Sequence, residues 1–121
     1  GGFDVPASAY GVKLQGADFL ALTKLDVLSY LDKIPVCVAY EINGVRCEHF
    51  PVGDRLLLAK PVYEYLDGFK TDISGCRRPE ELPKAALRYI EFLEEAVGCP
   101  IEYVSVGPGR EDYLRMGKVD V

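Results

Sequence analysis

The sequence is short of positive charge and of long apolar runs, and each shortage excludes a class of function. Lys and Arg number 14 against 19 Asp and Glu, which gives a formal net charge of −5 at pH 7. Nucleic acid needs a basic face to meet its phosphates, so we expect no nucleic-acid partner. No apolar run approaches the roughly 20 residues of a membrane-spanning helix, and we expect no membrane association.

Metal-binding and catalytic patterns are also missing. The four cysteines are widely spread, at Cys37, Cys47, Cys76 and Cys99. They include no Cys-x-x-Cys pair, so we expect no metal site and reduced thiols in a cytoplasmic enzyme. His49 is the sole histidine and has no nucleophile at motif spacing, which predicts a surface or strand-end residue rather than a catalytic one. We assign no catalytic residue to this chain.

What is present is enough for one globular domain. The 121 residues are 49% hydrophobic and 27% charged, and a chain of this length buries about two-thirds of its unfolded surface. Periodicity and turn residues predict these elements: a marginal helix over 3–15, a strand over 19–22, a two-turn helix after Asp26, a hairpin of 36–42 with 45–50, a helical turn at 56–58, a strand over 62–66, a loop over 70–82, a helix over 83–97, a strand over 101–106 and a short helix over 110–116.

The hairpin is predicted in detail because Asn43-Gly44 is a strong two-residue turn signal. This turn predicts four cross-strand pairs: Ile42 with Val45, Glu41 with Arg46, Tyr40 with Cys47, and Cys37 with Phe50. The register keeps Cys37 and Cys47 apart.

The stretch 19–28 carries the main functional signal. Residues 19–22 are apolar without alternation, which is typical of a strand buried in a parallel sheet. Ligands of open α/β sheets bind beyond the carboxyl ends of such strands, where Lys24 and Asp26 follow. Two residues apart on an extended corner, these side chains are expected to project to the same side.

Guanine fits this pair of residues. The Asp26 carboxylate can accept two parallel hydrogen bonds, and guanine offers adjacent N1–H and 2-amino donors, which adenine lacks. The Lys24 stem can lie along the purine face. The alternative is that Thr23-x-x-Asp26 is a capping box that opens a helix, and the four residues alone favour this alternative.

A second corner follows the strand over 101–106. Gly107-Pro108-Gly109 fits neither the P-loop nor the dinucleotide fingerprint, but Ser105 offers a hydroxyl and Gly107 an amide to the edge of a base. A plain tight turn is the alternative.

Two other polar features each allow two interpretations. Tyr63 and Tyr65 share a strand face and could stack on a base, or they pack against a neighbouring element. Arg77-Arg78 could meet a phosphate, or the pair belongs to a solvated turn neutralised by Glu80-Glu81.

Five segments carry a resemblance to a known family: 22–28 (LTKLDVL), 36–40 (VCVAY), 60–64 (KPVYE), 82–86 (LPKAA) and 104–110 (VSVGPGR). In order and spacing they resemble the C-terminal portion of adenylosuccinate synthetase. The resemblance implies a parent ligase that joins IMP to L-aspartate with GTP and Mg²⁺, through a 6-phosphoryl-IMP intermediate, in AMP biosynthesis. It also implies a homodimeric parent.

The resemblance implies that two segments of residues 1–121 recognise guanine. The first is Lys24, Leu25 and Asp26, and the second is Ser105, Val106 and Gly107. The family's catalytic residues, its magnesium ligands and its IMP and aspartate sites lie upstream, so the chain is expected to be inactive alone. The expected fold class is α/β: a parallel-strand P-loop-NTPase-like part with an antiparallel β-hairpin insertion. The chain is expected to be a fragment of a larger α/β domain. Two rival hypotheses are a non-enzymatic β-rich binding module and a fragment of a regulatory GTPase with the same Lys-x-Asp device.

Overall fold

A computed structural model describes residues 3–51 and 53–118, which form a mixture of strands and helices. The strands are β1 (Phe3–Asp4), β2 (Leu20–Leu22), β3 (Lys33–Ile42), β4 (Val45–Cys47), β5 (Ala59–Asp67), β6 (Ile101–Ser105) and β7 (Tyr113–Arg115). The α-helices are α1 (Val5–Gln15), α2 (Arg55–Leu58) and α3 (Lys84–Val97), and single 3₁₀ turns lie at Leu25–Leu28 and Pro79–Glu81.

The first sheet is built on β3, the longest strand. β1 runs parallel to β3, whereas β4 and β5 run antiparallel to it. Asn43 and Gly44 have φ angles of 52° and 81°. Two successive left-handed residues make the type I′ turn whose twist matches that of a hairpin, so the predicted turn is confirmed.

The hairpin register agrees with the sequence near the turn and departs from it further away. The three predicted pairs next to the turn are confirmed. The fourth, Cys37 with Phe50, is wrong because β4 ends at Cys47. Cys37 lies instead opposite Asp4 of β1 and Tyr63 of β5.

The second sheet places β6 between β2 and β7. β2 runs parallel to β6, with Leu22 opposite Val104, as the apolar run predicted. Ala21 is exposed in this chain, however, so the strand is not buried on both faces. The predicted helix over 110–116 is wrong: this segment contains β7, antiparallel to β6, with Leu114 buried between exposed neighbours.

The first helix is better supported than its proline and glycine content predicted. The Asp4 side chain accepts a hydrogen bond from the Ala7 amide at 2.9 Å, and Pro6 lies in the first turn, where an amide is not needed. Gly16 ends the helix with φ 62°. The Tyr40 hydroxyl donates to the second Asp4 oxygen, and burial together with that carboxylate raises the pKa of Tyr40.

Helix α3 confirms the helix predicted over 83–97. Its buried residues are Ala86, Tyr89, Ile90 and Leu93. Leu87 and Val97, which follow the same helical spacing of apolar residues, are only half-buried. Gly98, with φ 80°, ends the helix in the left-handed conformation that glycine commonly adopts at this position.

The core is formed by residues of both sheets, α3 and the connecting segments. The loop over 70–82, predicted from its polar composition, contributes Ile73 and Leu82 to this core. The two-turn helix predicted after Asp26 is a single 3₁₀ turn. No helix in the described ranges is long and apolar enough to cross a membrane.

One buried charge holds the end of the second sheet together. Glu102 is fully buried, and its carboxylate accepts hydrogen bonds from the Arg115 side chain at 2.9 Å and from the Gly117 and Lys118 amides at 3.1 and 2.6 Å. The bonds satisfy a carboxylate that would otherwise be costly to bury. They fix the segment after β7 against β6.

Candidate functional site

The two predicted corners lie at one edge of the second sheet. β2 and β6 are parallel neighbours, so their carboxyl ends point the same way. Residues 23–26 follow β2, and residues 106–112 follow β6 and lead into β7. The 3₁₀ turn after β2 also contacts β6. The sheet therefore brings together the two segments that the sequence assigned to one base site.

The corner after β2 is not extended as predicted. Lys24 adopts a left-handed conformation, with φ 60° and ψ 32°, and Leu25 begins the 3₁₀ turn. Leu25 is fully buried, while Lys24 is exposed and Asp26 is half-buried. Because the corner is not extended, strand alternation does not make the Lys24 and Asp26 side chains project to the same side. The buried Leu25 side chain anchors the corner.

The capping-box alternative is not formed. Lys24, not Thr23, precedes the 3₁₀ turn, and no side chain caps that turn. The Asp26 carboxylate makes no hydrogen bond or ion pair with any residue in 3–51 or 53–118. Its four acceptor positions are therefore available to a ligand.

The corner after β6 is a closed turn with Asp112 at its centre. The Val106 amide donates to the Asp112 carbonyl at 2.8 Å, and the Asp112 amide donates to the Gly109 carbonyl at 3.1 Å. The Asp112 side chain accepts from the Gly109 amide at 3.0 Å. The Ser105 hydroxyl donates to the Gly107 carbonyl at 3.1 Å.

These bonds determine which groups of the turn can meet a ligand. The amides of Val106 and Gly109 are used within the turn, and Pro108 has none. Gly107 is buried, yet its amide has no partner among the residues that the structure describes. Buried amides are nearly always paired, so this amide is a candidate ligand donor. The oxygen of Ser105 can still accept a hydrogen bond.

The loop over 70–82 contacts the same turn through Arg77. The Arg77 guanidinium donates to the carbonyls of Ser74 and Cys76 at 3.0 and 2.8 Å, and it lies 3.8 Å from the Asp112 carboxylate. The Glu81 carboxylate accepts the Arg77 and Arg78 amides at 2.6 and 2.9 Å, and these bonds lower the pKa of Glu81. Arg77 is therefore engaged within the protein.

Neither the role of Asp112 nor that of Arg77 was predicted from the sequence. A weak signal exists for Asp112, because an aspartate a few residues from a turn glycine often accepts a backbone amide. The contact with Arg77 joins segments 35 residues apart and leaves no local pattern.

The tyrosine pair lies beside the 3₁₀ turn that follows β2. Tyr63 and Tyr65 share a face, as predicted, with ring centroids 6.4 Å apart, and both are exposed. They line an open groove of about 510 Å³ with Val27 and Tyr30. A smaller groove, of about 230 Å³, is lined in part by Lys24. The predicted surface position of His49 is confirmed, since it is exposed.

The described residues do not form a metal centre. No group of three or more His, Cys, Asp or Glu side chains within 3–51 and 53–118 is arranged to hold an ion. Mg²⁺ prefers several oxygen ligands, and this part of the chain does not supply them together.

The fold and the two corners define a mixed α/β protein with candidate ligand groups at the carboxyl ends of two strands. A sequence profile of the adenylosuccinate synthetase family matches residues 1–114. The chain belongs to the adenylosuccinate synthetase family.

Individual relatives agree with the profile. The adenylosuccinate synthetase of Picosynechococcus is 50% identical over 115 residues, which is 94% of this chain and 26% of the relative. That of Thermobifida fusca is 48% identical over 117 residues, 96% of this chain and 27% of the relative. The solved structure of fully ligated adenylosuccinate synthetase from Plasmodium falciparum superposes with a TM-score of 0.86 and 35% identity, over 93% of this chain and 28% of that one.

The chain thus spans about a quarter of the length of the relatives it matches. The family and the mixed α/β fold are confirmed. These matches do not confirm that the matched quarter is the C-terminal one, and the P-loop-NTPase-like character stays a prediction.

Proposed function

We propose that this chain is part of a GTP-dependent ligase that joins IMP and L-aspartate to give adenylosuccinate, and that it recognises the guanine base of GTP. Family membership supports the ligase assignment. The observation that carries the base assignment is a pair of unsatisfied groups at one sheet edge: the Asp26 carboxylate and the Gly107 amide.

These two groups are complementary to guanine. The base presents two adjacent donors, N1–H and the 2-amino group, and one acceptor, O6, on the same edge. Asp26 accepts the two donors, and the Gly107 amide donates to O6. Adenine has an amino group at position 6 and no proton at N1, so it would leave both protein groups unpaired. Such mismatches give strong discrimination because unpaired buried polar groups are costly.

The other four residues support these contacts. Leu25 and Val106 are fully buried and fix the two corners to the core. Lys24 is exposed, and its aliphatic stem can cover the purine face. The Ser105 oxygen can accept from the 2-amino group or from a bridging water.

The rest of the reaction belongs to the remainder of the parent protein. The family resemblance implies that Mg²⁺, the phosphates of GTP, IMP and L-aspartate are bound by residues of the parent protein outside this chain. This chain alone is therefore expected to be inactive, and turnover of IMP by it would contradict the proposal. A cytoplasmic location, expected from the cysteine pattern, and a homodimeric parent, implied by the resemblance, both stay predictions. At 48–50% identity to adenylosuccinate synthetases, neither the binding module nor the regulatory GTPase has comparable support.

The test is Asp26→Asn in the full-length synthetase. The change replaces one acceptor with a donor, which disfavours the 2-amino group of guanine and favours the C2 oxygen of xanthine. Hydrogen bonds to charged groups are each worth about 1.5–3 kcal/mol, so kcat/KM with GTP should fall roughly a hundredfold while that with XTP rises. The measurement is kcat/KM with each nucleotide.

Glu91→Gln is the matched control, because it makes the same charge change at an exposed position on α3. It should leave both values unchanged. Equal GTP and XTP selectivity in Asp26→Asn and the wild type would overturn the role of Asp26.

A further inference from the structure

Asp112 forms three backbone hydrogen bonds in the turn after β6. Its carbonyl accepts from Val106 at 2.8 Å, its amide donates to Gly109 at 3.1 Å, and its carboxylate accepts from the Gly109 amide at 3.0 Å. A single residue thus closes the turn from the inside. The only amide of residues 106–109 with no described partner is that of Gly107.

The two glycines allow the backbone to approach this carboxylate closely. A Cβ atom on Gly107 would lie 2.7 Å from the Asp112 Oδ2 atom and 2.9 Å from its Cγ atom. A Cβ atom on Gly109 would lie 2.9 Å from the same oxygen. All three distances are shorter than van der Waals contact allows. The backbone of the turn therefore packs directly around the Asp112 side chain.

Arg77 lies near the other oxygen of the carboxylate. Its guanidinium lies 3.8 Å from Asp112 Oδ1, while Gly109 uses Oδ2. The carbonyls of Ser74 and Cys76 hold the guanidinium in place. The Asp112 side chain is 30% exposed, so this ion pair orients the carboxylate more than it adds stability.

We propose that Asp112 is a positioning residue for base recognition: it shapes the turn so that the Gly107 amide points at position 6 of the purine, and Arg77 orients its carboxylate. This inference rests on the proposed guanine site. Asp112 itself does not touch the base. Its effect is therefore confined to the contact at position 6, while Asp26 reads positions 1 and 2.

The test compares substrates that differ at one position of the base. In the full-length synthetase, the ratio of kcat/KM for GTP to that for 6-thio-GTP reports the bond at position 6, because sulfur is a weak acceptor. The ratio of GTP to ITP reports the 2-amino group and hence Asp26. Asp112→Ala should reduce the first ratio about fivefold to tenfold, as expected for one lost hydrogen bond. It should leave the second ratio unchanged, and kcat at saturating GTP should change by less than about twofold, so that the loss appears in KM.

Conservative and matched variants separate positioning from general damage. Asp112→Asn keeps an oxygen acceptor for the Gly109 amide and should restore most of the position-6 ratio. Glu111→Ala, at an exposed neighbouring residue, should change neither ratio. If Asp112→Ala does not yield folded enzyme, Arg77→Gln decides the question, with an expected fall of about twofold in the position-6 ratio alone.

The outcomes distinguish this inference from the proposal on which it rests. A normal Asp26 response together with an unchanged position-6 ratio in Asp112→Ala overturns the inference alone, as does an equal fall in both ratios. An unchanged GTP-to-ITP ratio in Asp26→Asn overturns the guanine site itself.

Discussion

The two corners differ in what their carboxylates do. Each corner follows one of two parallel strands, and each contains one aspartate. Asp26 has no described partner, whereas Asp112 accepts the Gly109 amide and lies beside Arg77. The first carboxylate is free to recognise a ligand, and the second is part of the framework. Residue type and position after a strand therefore do not decide the role, but hydrogen bonding to neighbours does.

The corners also reach their shapes by different means. The turn after β6 uses glycines, which let the backbone approach the Asp112 carboxylate. The corner after β2 uses Lys24 in a left-handed conformation, which costs an ordinary residue roughly 1–2 kcal/mol. Buried Leu25, next in the chain, holds that conformation in place. Small residues shape the corner after β6, and the packing of Leu25 stabilises the corner after β2.

The largest expected effect on the free energy of unfolding is at the corner after β6. Gly107→Ala should lower the free energy of unfolding of this chain by about 2 kcal/mol, because the new Cβ atom would overlap the Asp112 carboxyl group. Urea unfolding measures this change. Gly75→Ala is the matched control, since its Cβ atom would meet nothing within 4 Å and should change the stability by less than about 0.5 kcal/mol. Equal stability of the two variants would mean that the turn is not packed around Asp112.

The sequence predicted the framework of this site better than its details. The parallel strand at β2, the helix α3 and the turn at Asn43-Gly44 were predictable because each has a local signal: an apolar run, a helical period or a turn pair. The three residues of β7 were too few to show a period, and their pairing with β6 decides their structure.

The details that were missed depend on tertiary contacts. Lys24 carries no turn signal, and its left-handed conformation follows from the burial of Leu25. The contact between Asp112 and Arg77 joins the turn to a distant loop. Glu102 reads as a surface residue until its backbone partners after β7 are known. The candidate residues were predicted, but the division between recognition and positioning was not.

A smaller effect on the free energy of unfolding, of the opposite sign, is expected at the corner after β2. Lys24→Gly should raise the free energy of unfolding by about 0.5 kcal/mol, because relief of the left-handed conformation outweighs the added flexibility of glycine in the unfolded chain. Lys13→Gly, at an exposed position of helix α1, is the comparison and should lower the stability by about 1 kcal/mol. Urea unfolding of both variants gives the two signs. Destabilisation by Lys24→Gly would show that the corner is not strained.

The smallest effect on stability is expected at the residue most important for recognition. Asp26→Ala should change the free energy of unfolding by less than about 0.5 kcal/mol, because its carboxylate makes no bond that folding could gain. Asp112→Ala should cost about 1 kcal/mol or more, since the Gly109 amide loses its acceptor. Urea unfolding of the two variants under the same conditions measures the difference. If Asp26→Ala were the more destabilising, the Asp26 carboxylate would be a structural group, and the distinction between a recognising and a positioning aspartate would be lost.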